Sequence, residues 1–80
     1  MKNTFILASA SWCGPCQVLK QRLTAAGLLD QVVVKDADTE SSFFKEHDIK
    51  SVPRLIVYSP DGKLEKTISG VEEIYTAITQ

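Results

Sequence analysis

Two strand-like segments on either side of a helix-like segment constrain the fold of this 80-residue chain more than any other feature. Residues 5–8 form a short, uninterrupted apolar run, which is typical of a central strand buried on both faces. The β-branched run at residues 32–34 predicts a second buried strand. Between them, Leu19, Leu23 and Ala26 recur at the spacing of one apolar helix face. A strand–helix–strand crossover implies parallel pairing, so both strands end at the same edge of the sheet.

The middle of the chain predicts a second, shorter helix. Residues 39–47 suit this helix, with Asp38 or Thr39 as its N-cap. Phe43 and Phe44 are its large apolar residues, and we expect both to be buried.

The last third of the chain predicts a hairpin and a final helix. Residues 55–58 read as a third strand, and the turn residues 59–62 (SPDG) connect it to a fourth. Ser69 and Glu72 match a capping box before an amphipathic helix. The apolar positions of that helix are Val71, Ile74, Tyr75 and Ile78. The predicted order is β-α-β-α-β-β-α, an α/β fold in which three helices flank a four-stranded mixed sheet, as a single domain over residues 1–80.

The sequence Trp12-Cys13-Gly14-Pro15-Cys16 places the only two cysteines three positions apart, where the first helix begins. Residues i and i+3 of a helical turn have Cβ atoms about 5–6 Å apart, so the two sulfurs can reach bonding distance. Pro15 suits the first turn, where its missing N–H costs nothing, and Gly14 lets another backbone approach the sulfur. The pair is therefore predicted to be a dithiol that opens and closes reversibly.

The two cysteines are predicted to have different roles. Unpaired N–H groups and the positive dipole at a helix start stabilise a thiolate at Cys13 and lower its pKa. Cys16 heads the apolar stripe of the helix, which Gly27 is placed to end. We therefore expect Cys13, at the exposed tip, to be the attacking thiol, and the buried Cys16 to resolve the mixed disulfide.

Composition and charge exclude several classes of function. Nine Lys and Arg residues against ten Asp and Glu residues give a net charge of -1, which argues against a nucleic-acid-binding or anionic-membrane-binding surface. No apolar run approaches the ~18 residues of a membrane span, and residues 5–8 are too short for the core of a secretory signal. Two cysteines at this spacing in an intracellular chain indicate redox or metal chemistry. We expect a cytoplasmic monomer.

Taken together, these residues resemble the thioredoxin family, whose active-site string is WCGPC. Residues 49–53 (IKSVP) are similar to the family's approach to its cis-proline, residues 59–62 to its hairpin turn, and Gly70 to the glycine after its last strand. The resemblance implies a minimal thioredoxin fold and a protein-disulfide reductase with no bound cofactor, which receives electrons from NADPH through thioredoxin reductase. It also implies that disulfide-containing protein substrates are received by Trp12, Val52, Pro53 and Gly70.

The chain also departs from the family pattern. Thioredoxins are longer at the front by a strand and a helix, so this chain resembles a minimal version of glutaredoxin size. The family buries an acidic residue in the strand before the motif, thought to help deprotonate the resolving thiol, but residues 5–10 contain no acid. Asp36 and Asp38, at the predicted end of the second strand, are candidates for this proton transfer. The alternative is that they are surface or capping carboxylates.

Three other interpretations stay open at the level of the sequence. A CxxC pair can be half of a zinc or iron–sulfur site, although His47 is the only histidine and we predict no metal. Arg54 could bind a carboxylate of glutathione, which would then supply the electrons as it does for glutaredoxins. The domain could also be a scaffold or processivity subunit of a larger enzyme, with its redox activity incidental.

Overall fold

The computed structural model describes residues 3–79, and Met1, Lys2 and Gln80 lie outside the described residues. The strands and helices follow the predicted order, with one added turn of 3₁₀ helix at Leu29–Gln31. The strands are β1 (Thr4–Ser9), β2 (Val32–Asp36), β3 (Arg54–Tyr58) and β4 (Leu64–Ser69), and the helices are α1 (Gly14–Ala25), α2 (Ser41–Glu46) and α3 (Val71–Thr79).

The four strands form one mixed sheet in the order β2-β1-β3-β4, which confirms the predicted fold class. β1 runs parallel to β2 and antiparallel to β3, and β4 pairs with β3 in the hairpin. The register places Ser9 opposite Asp36 and Ala8 opposite Arg54. The ends of β1 and β2 and the beginning of β3 therefore lie together, and we call this side of the sheet the site edge.

Helix α1 ends at a glycine, as the sequence predicts. Gly27 has a φ of 72°, a conformation that a residue without a Cβ adopts freely. Its N–H donates to the carbonyl of Thr24, and the N–H of Leu28 donates to that of Leu23, which is the Schellman pattern. Ala26 was expected on the apolar face and is instead the exposed C-cap. The helix ends at Ala25 and the chain turns at Gly27, so the apolar face of the helix does not extend to this position.

The main core lies between the sheet and the helices α1 and α3. Burial of each large side chain contributes about 1.5–3 kcal/mol to the stability of the fold. The core-facing side chains recur every two residues along a strand and every three or four along a helix. The fully buried side chains at the centre of the core are Leu7, Leu19, Leu23, Leu55, Val57 and Ile74.

The second strand is more exposed than predicted. β2 lies at an edge of the sheet, where Val32 is buried but Val33 is 48% exposed and Val34 is 37% exposed. Continuous valines are typical of a strand covered on both faces, but the position of a strand within the sheet decides whether it is covered. The prediction of a buried strand at residues 32–34 is wrong, although its parallel pairing with β1 is confirmed.

Helix α2 is shorter than predicted. Its N-cap, Glu40, makes no side-chain capping hydrogen bond, so the caps expected one and two positions earlier are wrong. Phe43 and Phe44 are half-buried rather than buried, because neighbouring residues of a helix point in different directions and cannot both face the sheet. The ring of His47 stacks on Phe43, with centroids 4.1 Å apart, and its Nε2 lies 2.6 Å from the Tyr58 hydroxyl. The histidine thus joins α2 to β3.

Helix α3 begins without the predicted capping box. Ser69 is the last residue of β4, and the carboxylate of Glu72 accepts a hydrogen bond from the Arg22 guanidinium of α1 at 2.6 Å. The same guanidinium lies 4.2 Å from the centre of the Tyr75 ring. A long-range partner has therefore taken the carboxylate that the local pattern assigned to the helix start.

Candidate active site

The first turn of α1 is built on the end of β1. Cys13 is the N-cap, with an extended backbone (φ -92°, ψ 110°), and Pro15 occupies the opening turn. The N–H of Cys13 and the side-chain amide of Gln17 both donate to the carbonyl of Ala10, at 3.2 and 3.0 Å. These two bonds attach the helix start to the strand that precedes it, so the position of the cysteine pair is fixed by backbone and amide contacts.

The two cysteines are joined in a disulfide, and their Cα atoms are 5.3 Å apart. This separation lies within the range that disulfides require. The Cys13 sulfur also accepts a hydrogen bond from the N–H of Cys16 at 3.2 Å. An N-cap sulfur that receives a backbone N–H at the positive end of a helix is in a position that favours its thiolate form after reduction.

The two sulfurs differ less in exposure than the sequence predicts. Cys16 is fully buried, as expected, but Cys13 is only 6% exposed. The expectation of an exposed tip at Cys13 is therefore wrong in degree, because neighbouring residues cover most of the disulfide. The order of accessibility is still the predicted one, with Cys13 on the outer side.

The disulfide lies in a small apolar cluster separate from the main core. Ala10, Cys13 and Cys16 form its buried centre, with Ala37 and Val52 packed against them. The Val52 carbonyl oxygen is 3.8 Å from the Cys13 sulfur. The peptide bond that follows Val52 is cis and leads into Pro53, which is buried. The loop before β3 therefore presents a backbone carbonyl directly beside the sulfur.

A groove of about 580 Å³ opens over Cys13. Trp12, Gly14 and Pro15 form one wall, and residues 49–52 form the opposite wall. Trp12 is 70% exposed and forms an open apolar surface beside the cysteine. The groove leaves room for an extended segment of another protein to reach the disulfide.

Gly70 does not line this groove. It follows Ser69, which lies opposite Arg54 in the register, so it is at the site edge of the sheet but on the far side of β3 from β1. Its φ of 96° is the reason for a glycine there. Arg54 also points away from the disulfide, because its guanidinium lies 3.5 Å from the Thr67 hydroxyl and lines a separate pocket beside α2.

Asp36 and Asp38 are at the end of β2, as predicted, but their carboxylates are engaged locally. Asp36 Oδ1 accepts the backbone N–H of Asp38 at 2.8 Å, and Asp38 Oδ2 accepts from the Ser11 hydroxyl at 3.1 Å. The residue between them, Ala37, is the one that packs on the cysteines. Among the described residues, no hydrogen bond joins either carboxylate to a cysteine. The geometry supports the alternative that both are surface carboxylates in local hydrogen bonds.

Sequence reasoning missed two polar residues of the site. Gln17 is the residue whose amide fixes the helix start, and its type and position gave no signal. Ser9 is fully buried at the end of β1. The signal for Ser9 was its position two residues after Leu7, on the same face of the strand.

The part of the chain that the structure describes offers neither a group of metal ligands nor a membrane-spanning helix. Within residues 3–79, no three side chains of His, Cys, Asp or Glu come together in a group that could hold a metal ion. None of the helices in this range has the length and apolar character needed to cross a membrane.

The mixed sheet and the cysteine pair at a helix start are features that the chain shares with known proteins. A family model described as Thioredoxin matches residues 1–80, and the chain belongs to the thioredoxin family. A thioredoxin-like protein, slr0233 of Synechocystis, is 31% identical over 75 residues, which cover 89% of this chain and 70% of that protein.

Two further proteins that are similar to this chain are longer than it is. The chloroplastic thioredoxin-like protein CITRX1 of Nicotiana benthamiana is 36% identical over 56 residues. That match covers 65% of this chain but only 31% of the relative, so the chain spans about a third of its length. The oxidised form of mitochondrial thioredoxin 3 from Saccharomyces cerevisiae superimposes with a TM-score of 0.76 at 26% identity, over 96% of this chain and 76% of that one.

Proposed function

We propose that the protein is a thiol–disulfide oxidoreductase that reduces disulfide bonds in other proteins. The observation that carries this proposal is the asymmetric disulfide. Cys13 lies at the helix start beneath an open groove and receives the N–H of Cys16, while Cys16 is fully buried behind it. Family membership supports the same chemistry.

In the proposed reaction the reduced protein attacks through Cys13. Its thiolate forms a bond to one sulfur of the substrate disulfide, and the other substrate sulfur leaves as a thiolate. Cys16 then loses its proton and attacks the Cys13 sulfur, which releases the second substrate thiol and forms the Cys13–Cys16 disulfide. The substrate gains two electrons and the dithiol loses two.

The loop before β3 is proposed to orient the substrate. An extended segment in the groove would run past Val52, whose carbonyl lies 3.8 Å from the attacked sulfur, and would accept and donate backbone hydrogen bonds there. Trp12 offers an exposed apolar surface on the other wall. Backbone recognition of this kind admits many protein sequences, so we propose a broad substrate range.

For the electron source we propose NADPH through a thioredoxin reductase, with the protein acting as a monomer in a reducing compartment such as the cytoplasm. The position of Arg54 supports this choice over glutathione. Its side chain is directed toward Thr67 and away from the disulfide groove, so it is not placed to hold a glutathione carboxylate beside Cys13.

Reduction of insulin, followed in two parallel assays, tests the proposal. One contains NADPH and thioredoxin reductase, and the other contains NADPH, glutathione and glutathione reductase. We expect activity in the first and loss of that activity in Cys13→Ser. Activity only with glutathione would overturn the proposed donor. Activity in neither, together with full biological function of a Cys13→Ser/Cys16→Ser double variant, would indicate a scaffold role.

A trapping experiment tests the assignment of the two cysteines. Cys16→Ser should accumulate a mixed disulfide between Cys13 and a substrate protein, because the resolving attack is removed. Mass spectrometry after non-reducing electrophoresis identifies the attached cysteine. Trapping by Cys13→Ser instead would show that the roles are reversed.

A further inference from the structure

The hydroxyl of Ser9 is a buried polar group without a partner. Ser9 is fully buried at the last position of β1, and among the described residues its Oγ makes no hydrogen bond. Its backbone carbonyl, in contrast, accepts the N–H of Ala37 at 2.9 Å. Leaving a hydroxyl unpaired in the interior is unfavourable, and native proteins contain few such groups. The group therefore calls for a functional explanation.

The strand geometry places this hydroxyl under the first turn of α1. Ser9 shares a face of β1 with Leu7, and Leu7 packs in the core with Leu19 and Leu23 of α1. Only residues 10–13 separate the strand from the helix, so the helix begins above the strand end and runs back along the strand. Cys16 is the only buried residue of that first turn. Ser9 is thus at the level of Cys16.

We infer that Ser9 is a positioning residue for Cys16 in the reduced protein. In the disulfide, the Cys16 sulfur is bonded to Cys13, and the Ser9 hydroxyl is unpaired. Reduction frees a fully buried sulfur that has no solvent to hydrogen-bond. The hydroxyl then donates to this sulfur, and both groups are satisfied in the reduced state only. The inference rests on the proposed dithiol exchange.

This hydrogen bond has two consequences for the chemistry. Because the hydrogen bond exists only in the reduced protein, it shifts the equilibrium between disulfide and dithiol toward the dithiol. It also stabilises the thiolate of Cys16 that attacks Cys13, in a strand that offers no buried carboxylate for this purpose. In that step the proton of Cys16 passes to solvent, the Cys13–Cys16 bond forms, the bond between Cys13 and the substrate sulfur breaks, and the substrate sulfur leaves as a thiolate that takes a proton from solvent.

Ser9→Ala tests the inference through the equilibrium with reduced and oxidised glutathione. Because the substitution removes a group that stabilises only the reduced form, we expect the equilibrium constant for oxidation to rise about fivefold. At 29.6 mV per tenfold for a two-electron couple, this makes the potential about 20 mV more negative. The variant is expected to fold, since it loses only an unpaired hydroxyl. Ser11→Ala is the matched control, because Ser11 is exposed and its hydroxyl donates to Asp38. The equilibrium constant of this variant for oxidation should equal that of the wild type.

A double-substitution cycle separates this role from a purely structural one. In a Cys16→Ala background, Cys13 still forms a mixed disulfide with glutathione, and adding Ser9→Ala should leave that equilibrium unchanged. The inference would be overturned if the equilibrium constant of Ser9→Ala for oxidation by glutathione lay within twofold of the wild-type value. It would also be overturned if Ser9→Ala changed the mixed-disulfide equilibrium by the same factor in the Cys16→Ala background. If the wild-type protein fails to reduce insulin while Ser9→Ala still shifts the glutathione equilibrium, the proposed function fails and the role of Ser9 stands.

Discussion

Replacement of Gly70 by alanine is expected to destabilise the protein through its backbone rather than through a side-chain clash. Gly70 lies between β4 and α3 and has a φ of 96°. A non-glycine residue held in this sparsely populated conformation lowers the stability of the folded protein by about 1–3 kcal/mol. A Cβ built on Gly70 would lie 2.5 Å from Glu73 Oε1, which is the end of a flexible and exposed side chain. Rotation of that side chain removes the contact. The backbone conformation therefore accounts for most of the expected loss.

Urea unfolding of the oxidised protein measures this loss. We expect Gly70→Ala to reduce the free energy of unfolding by about 1–3 kcal/mol, both in the wild-type background and in Glu73→Ala. Gly27→Ala is the comparison, because Gly27 also has a positive φ, of 72°, and a Cβ there would meet no atom within 4 Å. Gly27→Ala should reduce the free energy of unfolding by about 1–2 kcal/mol. Full recovery of stability when Gly70→Ala is combined with Glu73→Ala would refute the backbone explanation.

Three further substitutions test the core, the aspartates and the contact between α1 and α3. Leu19→Ala, at a fully buried position, should lower the free energy of unfolding, measured in urea, by about 2–5 kcal/mol. A loss below about 1 kcal/mol would show that the surrounding core collapses into the cavity. Asp36→Asn with Asp38→Asn should leave the rate of insulin reduction unchanged across neutral pH, since the Asp36 carboxylate bonds to the backbone of its own turn and the Asp38 carboxylate to the Ser11 hydroxyl; an altered pH profile would restore them to the mechanism. Glu72→Gln should lower the free energy of unfolding by less than about 1 kcal/mol, because the Glu72 side chain, which pairs with Arg22, is 77% exposed, and the effect should shrink in high salt.

The local sequence pattern was sufficient to predict the structure where a single residue type determines the backbone conformation. The glycine at position 27 predicted the end of α1, and the structure has the left-handed conformation that this prediction requires. The crossover from β1 to β2 was also predictable, because a helix between two apolar runs leaves parallel pairing as the usual solution. Both inferences depend on neighbours in sequence rather than on distant contacts.

Features that depend on distant contacts were not predictable in this way. The exposure of Val33 follows from the edge position of β2, and no local pattern specifies the order of strands in a sheet. Glu72 is a good capping residue by its spacing, yet Arg22, fifty positions earlier, takes its carboxylate. The spacing of Ser9 from Leu7 places both on one face of β1, but whether the end of that face is covered depends on where α1 begins.

The order of the strands explains how so short a chain assembles a complete site. β1 and β3 are antiparallel neighbours, so the beginning of β3 lies beside the end of β1. The loop that brings Val52 to Cys13 therefore needs no additional element to position it, because the sheet itself holds both ends. The same arrangement places Ser9 beneath the helix start. It follows that substitutions of the residues that pack on the cysteines at the site edge should change the chemistry of the disulfide, whereas substitutions at the opposite edge should change stability alone.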